Sequence, residues 1–337
     1  ASKKYIKKKF SINLIENNLI SFDKIEIISR RNRKLIDIKD INKLPKNLKI
    51  KINKDLKNIK QKISFKQLSF NDTPILMGIV NLTPDSFSDG GKYNTKKKSF
   101  EHISKMIKYG AKIIDVGGES TRPGSKTINP KIEWQRIKFV IKNFKKKYKN
   151  VCLSIDTRKS ELMVKSINYD IDLINDVSGF KFDKQSLSKL KEFKIPKVLH
   201  HMQGTPNTMQ KDPKYRNVLL DIYDFFEEKI NKNSKDKKII LDPGIGFGKT
   251  LKHNLTLISK ISLFHSLGFP ILVGTSRKRF INQISKEYDS EERIGGTLAS
   301  VIYLLSQGVQ IFRVHNVNEV KQGILVYEKI LSSLNEK

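Results

Sequence analysis

From Pro74 onward the chain repeats one rhythm: a short apolar run, a loop rich in Gly, Asp and Ser, then an amphipathic stretch of helical length. The apolar runs are ILMGIV (75–80), KIIDVG (112–117), VCLSID (151–156), DLINDV (172–177), PKVLHH (196–201), KIILDP (238–243), PILVGT (270–275) and QIFRVH (310–315). Between them lie stretches such as EWQRIKFVIKNFKKKY and LLDIYDFFEEKINK, whose apolar residues recur at three and four. Continuous apolar strands alternating with helices form a parallel sheet buried on both faces. Eight such units across about 260 residues predict a closed (β/α)8 barrel. A doubly wound open sheet is the competing architecture, but no G-x-G-x-x-G opens a helix after the first strand.

Residues 1–61 do not share the rhythm. They are lysine-rich, and the short runs IEIIS, KLIDI and LKIKI alternate as strands do. PKNLKIKINKDLKNIKQKI can become helical after its start. No chemistry-bearing constellation appears there. The expected organisation is a small, basic, β-rich N-terminal extension (1–61) ahead of a barrel domain (62–337).

Polar side chains are costly inside buried strands, so their positions carry information. Asn81 follows the first run, Asp115 lies in the second, Asp156 ends the third, and Asn175 and Asp176 sit in the fourth. His200 and His201 end the fifth, Asp242 the sixth, Ser276, Arg277 and Lys278 follow the seventh, and Arg313 and His315 belong to the eighth. One Asp at a strand end is ordinarily a turn former or helix cap. Eight coordinated ends converge, in a barrel, on the face that carries active sites. Asp115, Asp156, Asn175 and Asp242 suit a flat heterocycle bearing an amide N–H and an exocyclic amine. Lys278, Arg313 and His315 offer cationic donors to an anion, and Asn81 offers an oxygen that Mg²⁺ accepts. Together they suggest cleavage of a bond between a heterocyclic carbon and a phosphate leaving group.

DPGIGFGKT (242–250) looks at first like a phosphate-binding loop. A P-loop needs Gly, four residues, then Gly-Lys-Ser/Thr. Its first Gly position is Pro243, which has no N–H to offer. Asp242 is then the functional residue, the glycines let backbone approach a ring, and Lys249 reads as a solvated lysine near a helix start. Zinc finds no support, because His200 and His201 are adjacent and point to opposite faces of a strand. A Ser-His-Asp nucleophile finds none either, as no G-x-S-x-G elbow is present.

The net charge of +32 attracts anions, so nucleic acid must be weighed. Lys far outnumbers Arg, however, and no basic run is interleaved with aromatics as a stacking platform would be. Solvated lysines are the better reading, with no specific nucleic-acid partner. No apolar run approaches membrane-span length. The single cysteine, Cys152, lies in a strand-like run as a small core residue, and the absence of a disulfide pair fits a cytoplasmic setting.

At these residues the sequence resembles the dihydropteroate synthase family of pterin-binding enzymes. ILMGIVNLTPDSFSDGGKY and IIDVGGESTRPGS are similar to its two signature regions. SIDTRKS, LINDVSG, HMQGTPNTMQ, LDPGIGFGKT, VGTSRKRFI, RIGGTLAS and FRVHNV follow in the family's order, over about residues 62–335. The resemblance implies a TIM-barrel transferase of folate biosynthesis, a sulfonamide target and typically a dimer. Such an enzyme joins p-aminobenzoate to 6-hydroxymethyl-7,8-dihydropterin diphosphate, giving 7,8-dihydropteroate and diphosphate. By position it implies that Asp156, Asn175 and Asp242 hold the pterin's aminopyrimidine edge and Lys278 its carbonyl and neighbouring ring nitrogen. Arg313 stacks on the ring and, with His315 and with Asn81 through Mg²⁺, holds the diphosphate. Asp115 stabilises the cationic pterin methylene left when diphosphate departs. Phe87, Thr121, Arg122 and Pro123, in the loops after the first two strands, enclose p-aminobenzoate.

Three departures from the family's pattern stand out. Arg279 follows Lys278 where some members carry a Ser that receives the p-aminobenzoate carboxylate; Arg279 or the helix-start amides would meet it instead. Asn316 stands where Asp is common, and SINYDIDLINDVSG lacks the Gly-containing approach usual before that strand. Two rival functions remain. A corrinoid-system methyltransferase shares the barrel and the Asp/Asn grip but has no need of the two signature loops together. A basic nucleic-acid-binding protein rests on charge alone.

Overall fold

A computed structural model describes residues 11–14, 20–61, 63–65, 68–70, 74–83, 94–122, 124–232 and 238–333. Its centre is an eight-stranded parallel sheet whose strands follow the eight apolar runs. They are β1 (Ile75–Asn81), β2 (Ala111–Gly117), β3 (Cys152–Asp156), β4 (Leu173–Asp176), β5 (Lys197–His200), β6 (Ile239–Asp242), β7 (Leu272–Val273) and β8 (Ile311–Val314). The spatial order is β6-β5-β4-β3-β2-β1-β8-β7. A parallel bridge between Leu241 and Ile271 brings the two ends together into a (β/α)8 barrel.

Helices cover the outside: α1 (Asn94–Lys108), α2 (Pro130–Lys147), α3 (Ser160–Ile167), α4 (Ser186–Leu190), α5 (Val218–Lys232), α6 (Leu251–Ser259), α7 (Arg279–Ser285), α8 (Ile294–Ser306) and α9 (Val317–Ser333). Local chemistry sets their ends. Asn129 caps α2 by accepting from the Lys131 N–H, with Pro130 at the first turn, where a missing N–H costs nothing. Thr250 and His253 form a reciprocal cap at the start of α6.

Two apolar layers result. One lies between strands and helices and includes Ile137, Phe144, Leu153, Phe226 and Phe264. The other fills the barrel interior with Ile75, Met77, Ile113, Cys152, Leu173, Val198, Ile240, Leu272 and Ile311. Cys152 is therefore a core residue. A short antiparallel hairpin (Ser64–Phe65 with Leu68–Ser69) adds Phe65, Leu68 and Phe70 to that interior cluster and stoppers the end where the strands begin.

The N-terminal extension pairs Lys24–Ile28 with Arg33–Asp37 in an antiparallel hairpin and Ile12–Asn13 with Ser21–Phe22 in a shorter one. LKIKI, which reads both as a strand-like alternation and as part of the longer stretch that can become helical, lies in a helix over Lys46–Lys60. Ile52, Leu56 and Ile59 recur at helical spacing and bury together with Ile41. The longer 3.6-residue pattern outweighs a two-residue alternation only five residues long. Arg30 reaches Asp221 (2.7 Å) and Asp224 (2.5 Å) on α5, Glu26 pairs with Lys260 (2.8 Å), and Asn58 donates to the Ser266 carbonyl (2.8 Å).

The chain enters β4 through Asp170, an exposed residue held at φ +64°, where a Gly would be unstrained. This is the Gly-lacking approach noted in the sequence. Asp170→Gly is expected to stabilise the fold by up to about 1 kcal/mol, the left-handed penalty partly offset by a freer unfolded chain. The shift in urea midpoint measures it; a destabilised variant would contradict the strain argument.

Candidate active site

Side chains alternate across a strand, so the residues lining the apolar interior fix what lies two positions further on. Counting on from Ile113, Cys152, Leu173, Val198, Ile240 and Ile311 gives Asp115, Ser154, Asn175, His200, Asp242 and Arg313. One more step along β3 gives Asp156. Register aligns Asp115 with Ser154, Asn175 with Asp156, and His200 with Asp242. The polar layer thus sits directly above the apolar one, at the mouth formed by the C-terminal ends of the strands.

Arg313 organises one half of this mouth. Its Nε donates to Asp115 Oδ2 and its Nη2 to Asp156 Oδ2, both at 2.7 Å. Asp115 is fully buried and also accepts from Ser154 Oγ (2.6 Å) and Asn175 Nδ2 (2.9 Å). Burial pushes Asp156 up to about 7 even against the pull of Arg313, with Asp115 adding repulsion. Asn175 Oδ1 is buried without a hydrogen-bond partner, an acceptor that a ligand N–H would satisfy.

Asp242 organises the other half. Oδ1 accepts from the Gly244 N–H (2.8 Å), while Oδ2 lies 3.8 Å from His200 Nε2, beyond hydrogen-bond reach. Burial raises its pKa to about 6. Lys278 extends across the mouth with Nζ 4.0 Å from the centre of the Phe247 ring, and burial beside Arg313 lowers it to about 8. His200 meets the edge of the same ring.

Two glycines of DPGIGFGKT, Gly244 and Gly248, pack against main chain, while Gly246 (φ +83°) borders the Lys278 side chain, whose Cδ would lie 3.2 Å from an added Cβ. Gly244 has φ +69°, and a Cβ there would sit 1.9 Å from the His201 carbonyl oxygen. At Gly248 it would sit 2.5 Å from the Gln203 oxygen. The close approach is therefore to the chain leaving β5. Lys249 also departs from its reading as a solvated lysine. It is buried, with Nζ donating to the carbonyls of Phe247 (2.9 Å) and His201 (3.3 Å) and lying 3.2 Å from His201 Nδ1. Burial takes its pKa well below the usual lysine value, and its contacts to two carbonyls make it a clamp on the turn.

The expected anion set is altered in two respects. His315 was expected as a cation, but burial, with Arg277, Arg313, Lys278 and Arg122 nearby, lowers it to about 3. Ser276 Oγ accepts from the His315 N–H (3.2 Å) and lies 3.0 Å from Nδ1. A hydroxyl proton directed at Nδ1 leaves Nε2–H as a neutral donor. The Mg²⁺ expected at Asn81 is overturned: among the described residues no group of three or more His, Cys, Asp or Glu could hold a metal ion. Asn81 ends β1, the carboxylates of Asp115 and Asp156 are engaged by Arg313, and the groups around His315 are cations, which repel another.

Thr121 is half-buried and Arg122 exposed in the loop after β2; Arg279 is exposed at the start of α7. Phe87 and Pro123 lie outside the described residues. Asn316 compensates for the Asp it replaces by accepting from Arg277 Nε (3.1 Å) and Nη2 (2.9 Å). Asp176 proves to be a turn former, accepting from the N–H groups of Ser178 and Phe180.

Sequence reasoning missed one cluster. Glu119, Glu133, Arg158 and Lys159 are all buried and mutually paired just behind the mouth. The signal was available, since charged residues directly follow the ends of β2 and β3 in GGES and DTRKS.

A barrel whose mouth sets three carboxylates and an unpaired amide oxygen beside a Lys-Arg pair defines a pterin-binding enzyme. The family model described as "Pterin binding enzyme" matches residues 77–315. The dihydropteroate synthase of Escherichia coli K12 is 40% identical over 268 residues, covering 78% of this chain and 94% of that protein. That of Bacillus subtilis is 38% identical over 265 residues, covering 79% and 91%. The Yersinia pestis dihydropteroate synthase, solved in a sulfonamide drug complex, superposes with a TM-score of 0.74 at 35% identity, covering 81% of this chain and 100% of that one. The Xanthomonas albilineans enzyme in complex with 7,8-dihydropteroate gives 0.70 at 30% identity, covering 78% and 95%. The chain belongs to the dihydropteroate synthase family.

Among the described residues no helix is long and apolar enough to cross a membrane.

Proposed function

We infer that this protein condenses 6-hydroxymethyl-7,8-dihydropterin diphosphate with p-aminobenzoate, releasing 7,8-dihydropteroate and diphosphate. The observation that carries the reading is the pair of buried carboxylates, Asp156 and Asp242, on the same mouth as the unsatisfied Asn175 Oδ1, which lies beside Asp156 in the sheet. Three acceptors on a buried rim match the N–H and NH₂ donors of an aminopyrimidine edge. Lys278 faces the ring carbonyl. Arg313 lies over the ring and, with the neutral His315 Nε2–H and the Asn81 amide, receives the diphosphate. As the carbon–oxygen bond to diphosphate breaks, positive charge develops on the pterin methylene, and Asp115 stabilises it from beneath. The amine of p-aminobenzoate then attacks that carbon and loses a proton. Thr121 and Arg122 flank the aryl ring, and Arg279 receives its carboxylate.

Mixing the protein with the pterin diphosphate should release diphosphate only when p-aminobenzoate is added, with dihydropteroate formed in equal amount. No release from folded protein would overturn the reading. Within it, the described part of the extension acts as a docked appendage, since Ile41, Ile52 and Leu56 bury apart from the barrel clusters. The single, buried Cys152 suits a reducing cytoplasm.

The raised carboxylates give this site a pH dependence. A carboxylate with a folded pKa above its unfolded value near 4 binds protons more tightly when folded. Its burial therefore lowers stability as pH rises, with the cost absent below about pH 4 and complete above about pH 7. Ligand binding runs the other way, because acceptors are needed. Pterin affinity should fall as pH drops through about 7 and about 6, where Asp156 and Asp242 take up protons. Calorimetric titrations across this window check it; constant affinity would contradict the assignment.

A further inference from the structure

The loop that leaves β2 carries Thr121 and Arg122, and both of its ends meet at one carboxylate. Glu119 heads the loop, and its Oε1 accepts from the backbone N–H of Ile128 at 3.0 Å, where the loop returns toward α2. The same oxygen accepts from Lys159 Nζ at 2.8 Å. Oε2 accepts from Arg158 Nε at 3.0 Å and Nη2 at 2.5 Å. Lys159 bridges onward to Glu133 of α2, whose side chain is wholly buried. Arg158 also reaches Thr127 Oγ1 (3.4 Å) and stacks on the Phe182 ring at 4.3 Å. Arg136 of α2 holds the Gly118 carbonyl at 2.8 Å. Two buried anions and two buried cations balance, and each charge has a partner.

Two points separate this cluster from ordinary core packing. Burying four charges is expensive, and apolar residues of equal volume generally stabilise a core as well or better. What the charges supply is a fixed geometry: fork-shaped contacts tie the start and return of the loop to a single rigid point. Second, Arg158 and Lys159 follow Asp156 by two and three residues on the same strand end. The Thr157 N–H between them donates to the Asn175 carbonyl. The cluster therefore joins the loop after β2 to the two strand ends that carry Asp156 and Asn175.

We propose that Glu119, held by Arg158 and Lys159, is a positioning residue that sets the p-aminobenzoate loop against the pterin-holding end of β3. The proposal rests on the condensation reading for its kinetic consequence, while the anchoring itself is a property of the fold. Glu119→Gln keeps shape and one acceptor but removes the charge that both cations need. It should raise KM for p-aminobenzoate about tenfold or more, leaving pterin affinity by calorimetry and kcat at saturating p-aminobenzoate within about threefold. Arg158→Lys, which keeps the charge and loses the fork, should shift the same KM in the same direction by a smaller factor, and serves if the first variant folds poorly. Hydrogen exchange supplies a readout independent of turnover. Amides of 118–129 should lose protection in Glu119→Gln while those of 239–248 keep theirs. Unchanged KM and unchanged protection would overturn the proposal, as would pterin affinity and KM worsening together. Selective loss of protection in a protein with no condensation activity would sink the reaction assignment and leave the anchor standing.

Discussion

Asp242→Asn is expected to weaken binding of the pterin diphosphate roughly 30- to 4,000-fold, the equivalent of about 2–5 kcal/mol for breaking a buried charged hydrogen-bond pair. The substitution is chosen to spare the fold. An asparagine Oδ1 can still accept from the Gly244 N–H at 2.8 Å, so the turn after β6 keeps its anchor. The second atom is the one that changes: where Oδ2 presents a lone pair to the mouth, the variant presents an NH₂ to a ligand edge that is itself a donor. That juxtaposition loses one hydrogen bond and adds a repulsion in a buried setting, where neither is relieved by water. Calorimetry with the pterin diphosphate measures the loss, and an unchanged melting temperature shows that the fold is intact. An affinity within threefold of the parent would remove Asp242 from the pterin site.

Asp115→Asn should act on the chemical step instead. Its carboxylate is fully buried, with one oxygen held by Ser154 and the other by Asn175 and Arg313, so its charge is fixed in direction before any ligand arrives. A preorganised charge next to a developing cation lowers the barrier without reorganisation, and removing such a group costs on the order of 10²- to 10³-fold in kcat. Because Asp115 is not one of the groups assigned to the pterin edge, substrate affinity should change far less than kcat. Pre-steady-state measurement of diphosphate release separates the two. A variant that loses affinity and kcat in equal proportion would make Asp115 a structural partner of Arg313 only.

The sequence revealed these two aspartates for a physical reason. A polar residue at the end of a buried apolar run is costly unless it faces something, and in a barrel the ends of all eight runs converge on one face. That reasoning located Asp115, Asp156, Asn175, Asp242 and Arg313 on one face. It could not see burial created by elements distant in sequence. Lys249 reads as solvated until the chain leaving β5 covers it with the carbonyl of His201. His315 reads as a cation until burial, and then the nearby charges of Arg277, Arg313, Lys278 and Arg122, hold it neutral. The Mg²⁺ expectation rested on one side-chain oxygen, that of Asn81, and among the described residues no group of His, Cys, Asp or Glu side chains stands ready to complete a metal site. In the extension, LKIKI is too short for alternation to be decisive, and the helical reading of the longer stretch around it prevails because Ile52, Leu56 and Ile59 share one face.

The turn after β6 also bears on how this enzyme can change over time. A methyl group at Gly244 or Gly248 would collide with a backbone oxygen of a neighbouring segment, at 1.9 and 2.5 Å, and both glycines hold left-handed backbone. A backbone atom cannot step aside as a flexible side chain can, so neither position has a tolerated single-residue neighbour. The loop after β2 is different: Arg122 is exposed and Thr121 only half-covered, and either can be replaced without disturbing a main-chain contact. Mutational drift is thereby channelled. On the proposed assignment, variation at Thr121 and Arg122 that retunes the choice of aryl amine can accumulate one step at a time, whereas the turn after β6 is held stationary by its own main-chain contacts.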